Sequence, residues 1–379
     1  EPYTMQYMQA VIEEGDCKVS DVYLRQYVNS DVSRAKFACD NEGINKIYKA
    51  AVETYKQNAL DIFMDCPSRE RAGWLCDSYF TSRIAFDLSG NHLIETNFLE
   101  NFLLPEKFDH IPEGMLPMCY PSDHVNGNFI PNWAMWFVIE LEEYLERSND
   151  QEMIAALEPR VNALLDYFSR YENEYELLEG LEKWVFLEWS KANSFVQDVN
   201  FPTNMLDAKM LQVAGKLYDK PELIKKAERI QNVIREQSFD GQFFIDNAIR
   251  ENGKLVPQPK NRTETCQYYA FFCGTATAER YPELFKILCE DFGPNRQELG
   301  AYPEIYPANA FIGTYLRMEM LAEYGLVQQM LDESVEQYLY MANMTGTLWE
   351  NLTPHASCNH GFAAHIAHMF YRDLLGLTK

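Results

Sequence analysis

From Asp40 to the C-terminus, the chain repeats one local pattern about twelve times: apolar residues at helical spacing, closed by a turn. The runs cover 42–63, 77–89, 92–104, 132–147, 150–171, 203–219, 221–238, 264–280, 282–291, 308–324, 326–341 and 360–375. In the first, Asp40 or Asn41 can cap a helix on which Ile44, Ile47, Tyr48, Ala51, Tyr55 and Ile62 share one face. Pro221 and Pro282 stand where first-turn prolines belong, and Gly90 and Gly325 where helices end. No strand alternates with these helices in a βαβ rhythm, so the fold class is all-α. Each apolar stripe must then be buried against other helices. An open solenoid would show a repeat of fixed length, and none is present. A closed ring of helical hairpins needs none.

Two segments break the helical rhythm. "MQYMQAVIEE" and "CKVSDVYLRQYVN", joined by "EGD", alternate apolar and polar residues and predict two strands around a turn. Residues 1–38 then read as the last strands of a preceding β domain, or as a linker, and 39–379 as the helical domain. "QFFIDNAIRENGKLVPQP" predicts a hairpin about an Asn252-Gly253 turn, inserted between two helices. The first residues carry neither an initiator methionine nor a signal-peptide pattern, so the chain reads as a piece of a longer polypeptide and assigns no compartment.

A ring of this size needs a large core, and 47% of the 379 residues are hydrophobic. Lys plus Arg number 33 against 57 Asp plus Glu, a formal charge of -24, which repels nucleic acid and anionic membrane. The longest apolar run, "WAMWFVI", is too short to span a bilayer. The nine cysteines are odd in number, and several sit inside helical patterns such as "CQYYAFFCGTA", so buried free thiols are expected. The spacing of Cys66 and Cys76 matches no zinc ribbon.

In a ring of hairpins, the loops at one end carry function. The long connections, 64–77, 105–131, 172–202, 293–307 and 342–359, hold the unusual residues. "MDCPSRERAGWLCDS", 64–78, crowds Asp65, Glu70 and Asp77 with Arg69, Arg71 and Trp74. Like charges held together raise at least one pKa, and an apolar neighbour such as Trp74 pushes the same way; Arg69 and Arg71 oppose. A carboxyl still protonated near neutral pH serves as a general acid. The competing reading is a salt-bridged loop that pins a helix end. "GTLWENLTPHASCNHGF", 346–362, offers Glu350 beside Trp349, either a rim residue or the second carboxylate of a two-carboxylate hydrolase. His365 and His368 are three apart on a helix, but "HIAHMF" lacks the metalloprotease carboxylate; no metal is expected, and His360 reads as packed or substrate-contacting. Trp133 and Trp136 in "IPNWAMWF", and Trp184 and Trp189 in "KWVFLEWSK", present faces on which sugar C–H groups stack; the alternative for each is core or rim.

"DCPSRERAGWLCD" resembles the signature of glycoside hydrolase family 78, the α-L-rhamnosidases, and "TLWE" followed by "NHGF" resembles that family's C-terminal motif. "FLEWS" and "ETCQYYAFF" are weaker echoes of its intermediate segments. The motifs fall in the same order across about residues 40–379. The resemblance implies an (α/α)6 barrel, the six-hairpin toroid, here with a short N-terminal β remnant and an inserted β-hairpin. It implies cofactor-free, inverting hydrolysis of terminal α-L-rhamnose from glycans or glycosides. Carried over by motif, Glu70 would be the general acid and Glu350 the general base. Asp65 and Asp77 would hold ring hydroxyls and stabilise an oxocarbenium-like transition state, and Arg69 would orient a carboxylate or a hydroxyl. Trp133, Trp189 and His360 would belong to the sugar pocket, and Trp74, inside the first motif, is counted with them. Inversion predicts that the Glu70 and Glu350 carboxyls stand roughly 6.5–9.5 Å apart.

The chain departs from the family pattern in three places. The spacing between the arginine and the acid is one residue shorter than in many members, Cys76 stands where glycine is usual, and Glu188 where an aspartate precedes the tryptophan. Rhamnose carries a methyl group, so the pocket needs an apolar wall, whose residues the motifs do not name. Other readings are a glycosidase for a different sugar, a non-catalytic carbohydrate-binding protein on the same scaffold, and a lyase on a similar toroid. Retention of both Glu70 and Glu350 argues against the binding protein, and an acidic chain against the lyase, which would want a basic groove. The oligomeric state is not readable.

Overall fold

A computed structural model describes residues 7–122, 124, 126–310 and 312–377. In chain order the α-helices are α1 (Glu42–Asn58), α2 (Leu75–Ser89), α3 (Leu93–Glu100), α4 (Pro131–Ser148), α5 (Gln151–Ser169), α6 (Phe201–Leu217), α7 (Pro221–Ser238), α8 (Glu264–Phe272), α9 (Pro282–Glu290), α10 (Arg296–Leu299), α11 (Ile312–Glu323), α12 (Val327–Thr345) and α13 (Ile366–Met369). A 3₁₀ turn, Gly361–His365, precedes α13, and a π turn, Phe370–Leu374, follows it.

Burial sorts these helices into two rings. In α7 only Ala227, Ile230, Gln231, Ile234 and Ser238 are buried, a single stripe at helical spacing. In α8 every residue from Glu264 to Phe271 is buried. Helices α2, α4, α6, α8, α11 and the 361–374 segment form the inner ring, each packed on the next. Helices α1, α3, α5, α7, α9 and α12 lie outside. The ring closes where Tyr315 of α11 meets Phe362 and His365, with ring centroids 5.5 and 4.6 Å apart. Across the same seam, α1 packs on α12 and on the 361–369 segment. Tyr48 and Tyr371 hydroxyls, 323 positions apart in sequence, stand 2.6 Å from each other. Leu348 N–H donates to Thr54 Oγ1 at 2.8 Å. This is the six-hairpin toroid that the motifs imply.

Some ends differ from expectation for local reasons. Helix α1 stops at Asn58 rather than 63, because the chain turns back on itself: Met64 N–H donates to Asn58 O at 2.8 Å. Ile62 keeps its place in the apolar pattern from within that turn, where it is buried. Helix α8 ends at Phe272 rather than 280, ahead of Gly274 at φ 72°.

The inserted hairpin forms as expected. Strands β2 (Asn247–Glu251) and β3 (Lys254–Pro257) pair antiparallel, and Asn252 and Gly253 both take positive φ, 49° and 80°, as the tight turn requires. A two-residue strand, β1 (Val199–Asn200), pairs with β2 and is too short to show a period in sequence. Near the N-terminus the outcome differs: residues 7–38 carry no strand, and Tyr7, Val11, Ile12, Val22, Tyr23 and Leu24 are exposed. Two alternating segments with no sheet to join gain little from pairing with each other. Contact with the barrel begins at Asn29, whose N–H donates to Lys56 O at 2.8 Å, and at Phe37, stacked 5.3 Å from Phe370. Among the described residues, no helix is long and apolar enough to cross a membrane.

Candidate active site

The inner helices begin on the face where the longest loops gather. The loop between α1 and α2 is braced from two sides. Asp65 N–H donates to Ala72 O at 3.1 Å, and Ala72 N–H donates to Asp65 Oδ1 at 3.0 Å. On one side, Tyr120 N–H donates to Gly73 O at 2.8 Å, and a Cβ on Gly73 would lie 2.4 Å from Tyr120 O. On the other, Gly361 N–H donates to Asp65 O at 2.7 Å, and a Cβ there would lie 2.6 Å from Met64 O. The glycines of "RAGW" and "NHGF" are therefore needed for backbone approach. Gly361→Ala is expected to destabilise the protein by roughly 1–3 kcal/mol through overpacking against an immobile carbonyl. Denaturant unfolding measures this, and an unchanged midpoint would show that the seam yields.

Asp65, Arg69, Glu70, Trp74, Asp77, Trp133, Trp189, Glu350 and His360 all line one cavity of about 400 Å³. Their elements are the α1–α2 loop, the first turns of α2 and α4, and the loops before α6 and before Gly361. Arg69 spans the cavity. Its Nη2 contacts Glu350 Oε2 at 2.9 Å and its Nε contacts Glu70 Oε2 at 3.3 Å. Guanidinium nitrogens are ~2.3 Å apart, so these carboxyl oxygens lie no more than about 8.5 Å from each other. Glu350 also accepts from Trp189 Nε1 at 2.9 Å and from Ser357 N–H at 3.0 Å.

The carboxyls divide by burial. Asp65 is 2% exposed, and burial pushes it up to about 7 against the opposing charge of His360. The side chain of Glu70 is 26% exposed. Burial works to raise it, but hydrogen bonds from Asp65, its own backbone and Cys66, with the Arg69 charge, outweigh burial and hold it below the usual range. The two shifts run in opposite directions, so of this pair the more buried Asp65 is the one that binds a proton more firmly. The raised groups are Asp65 and Asp77, not Glu70, and burial rather than like-charge crowding is the first cause; the charge of Asp77 adds least at Asp65. Asp77 is raised by burial, opposed by His360 Nε2 at 2.9 Å from its Oδ1. Burial works to lower His360, but the hydrogen bond to Asp77 and the charges of Asp77, Asp65 and Glu350 raise it overall.

An aromatic wall faces these groups. Phe186 packs against Trp133 at 5.1 Å and Trp189 at 4.8 Å, and Trp184 lies 6.0 Å from Trp189. Met118 and Ile130 extend its apolar surface. Trp136 and Trp349 belong to the core: Trp136 packs 4.8 Å from Tyr79, and Trp349 Nε1 donates to Thr345 Oγ1 at 2.7 Å. His124 and Asn126, also on the cavity, come from a loop without a motif. The signal that could have found them is Gly73, which demands a close backbone neighbour.

Glu188, one of the departures, does not line the cavity. It is fully buried, accepts from Gly313 N–H at 2.8 Å at the start of α11, hydrogen-bonds Thr265 Oγ1, and burial pushes it up to about 7. Cys66 and Cys76 are buried free thiols. His365 and His368 do not meet: His365 lies 3.7 Å from Glu319, and His368 Nδ1 lies 2.7 Å from Asp87 Oδ2. Among the described residues, only Asp65, Cys66 and Glu70 have ligand atoms mutually within 4.8 Å, as an ion would need. Burial pushes the Cys66 thiol up to about 11, so an ion there would have to displace a firmly held proton.

Paired acids facing aromatic rings at the mouth of a six-hairpin toroid are the arrangement a two-carboxylate glycosidase would need. The chain belongs to the bacterial α-L-rhamnosidase six-hairpin glycosidase domain family, whose model matches residues 33–374. It is similar to the family 78 rhamnosidase of Bacillus sp. GL1, with a TM-score of 0.76 and 19% identity over 90% of this chain and 36% of that one. It is also similar to the Klebsiella oxytoca rhamnosidase with rhamnose bound, at 0.71 and 17% over 89% of this chain and 65% of that one. The Streptomyces avermitilis α-L-rhamnosidase complexed with L-rhamnose gives 0.66 and 15% over 90% and 32%. These likenesses are of fold, and the chain spans less than two thirds of each of these proteins. No curated protein matches the chain.

Proposed function

We propose that the protein hydrolyses terminal α-L-rhamnosides with inversion at the anomeric carbon. The observation that carries this reading is the meeting of Glu70 and Glu350, 280 residues apart in sequence, on the single guanidinium of Arg69. Glu70 is the general acid. The proton that rests on Asp65 moves across their hydrogen bond to Glu70, which passes it to the glycosidic oxygen as the bond to the anomeric carbon breaks, leaving both carboxyls ionised. Glu350 is the general base and takes a proton from the water that forms the new bond to the anomeric carbon while the bond to the leaving oxygen breaks. Arg69, Trp189 and the Ser357 amide fix the direction in which Glu350 points, which general-base catalysis requires. Asp77, oriented by His360, grips ring hydroxyls and stabilises positive charge developing on the ring. Ile130, Met118 and Phe186 supply an apolar surface for the sugar's methyl group. Two of the similar structures are described with rhamnose, which supports this choice of sugar.

Proton NMR of early product from an aryl α-L-rhamnoside tests sugar and stereochemistry together. The β anomer of free rhamnose is expected first. First appearance of the α anomer would overturn inversion, and turnover confined to another glycoside would overturn the sugar.

A further inference from the structure

We propose that Asn309 is a positioning residue for the base, clamping together the two loops that cradle Glu350. The inference rests on the reading of Glu350 as general base. Trp189 is 44% exposed, and its indole N–H holds Glu350 Oε1 from a loop that has only one short 3₁₀ turn of regular structure nearby. Such a ring is aimed by its backbone. Asn309 Nδ2 donates to Trp189 O at 2.8 Å, while Asn309 Oδ1 accepts from Leu352 N–H, two residues beyond Glu350, at 3.1 Å. One amide thus joins the backbone of the donor to the backbone of the acceptor.

The clamp is itself anchored to the barrel. Asn309 O accepts from Thr314 N–H at 3.0 Å in the first turn of α11, and Asn309 N–H approaches Glu188 Oε2 at 3.4 Å. Glu188 is held by Gly313 and by Thr265 of α8. A path of contacts therefore runs from two inner-helix N-termini through Glu188 and Asn309 to the base. Asn309 does not line the cavity, so it acts through Trp189 and Leu352 rather than on sugar.

Misplacing a catalytic group by about 1 Å costs on the order of 10²-fold in rate. Asn309→Ala is therefore expected to lower kcat about 10–100-fold on an aryl α-L-rhamnoside while KM changes less than about twofold. Trp189→Phe keeps the ring and removes its donor. If Asn309 acts through that donor, the double variant Asn309→Ala/Trp189→Phe loses little more than the worse single variant. Additive losses, or a kcat for Asn309→Ala within about twofold of wild type, would overturn the clamp. Should the alanine variant fail to accumulate, Asn309→Ser, too short to reach both loops, carries the same expectation. Glu350→Gln measured alongside separates the two readings. Full turnover there removes the base and the clamp with it, whereas lost turnover with an unaffected Asn309→Ala removes the clamp alone.

Discussion

Glu350→Gln is expected to lower kcat on a rhamnoside by about 10⁴-fold, the upper end of what a positioned acid or base contributes. No neighbouring carboxylate is placed to take over. Asp77 is engaged by His360, and Asp65 is hydrogen-bonded to Glu70. The glutamine carbonyl can take the place of Oε2 and still accept from Arg69 and the Ser357 amide, losing only the Trp189 bond at Oε1, so the loop should hold its shape and substrate should still bind. KM within a few-fold of wild type and an undiminished unfolding midpoint would accompany the loss. A fall in kcat of less than about tenfold would remove Glu350 from the base role.

Glu70→Gln should behave differently, because the need for an acid depends on the leaving group. With an alkyl or sugar leaving group, kcat/KM should fall about 10³-fold; with a nitrophenyl group, which departs without protonation, the fall should be less than about tenfold. The pH dependence is the sharper readout. A carboxyl with a raised pKa is protonated below that value and loses its proton as pH rises through it. Asp65 lies at about 7, so wild-type kcat/KM on the poor leaving group should decline above that pH as the pair loses its proton. In Glu70→Gln on the nitrophenyl substrate this decline should vanish. Equal losses on both substrates, with the alkaline decline retained, would assign the acid elsewhere.

The toroid and most of its site can be read from the sequence because both rest on local signals. Stripes such as Ala227, Ile230 and Ile234 mark outer helices, and runs such as 264–271 mark inner ones. The nine cavity residues expected from the sequence fall in or beside motifs whose charges and glycines have direct structural causes: Gly361 lies against Met64 O, and Arg69 between two carboxylates. What escaped depends on burial and long-range packing. Nothing in "DCPSRER" says that Asp65 is more buried than Glu70, so which carboxyl is raised was invisible. Phe186, His124 and Asn126 reach the cavity from segments whose course is set by distant partners, such as the tie of Phe186 N–H to Asn132 Oδ1. Glu188, a departure from the family's aspartate, is a buried acceptor for the first turn of α11, which the motif does not reveal.

The seam between the first and last hairpins also sets when the protein can work during its own synthesis. Glu70 leaves the ribosome well before Glu350 and the segment from Gly361 to Tyr371 that locks the ring. A nascent chain released before that segment would have an open ring, in which Glu70 and Glu350 need not meet. A nick in the exposed turn at Asn252-Gly253, by contrast, lies away from the seam and should leave both halves in register.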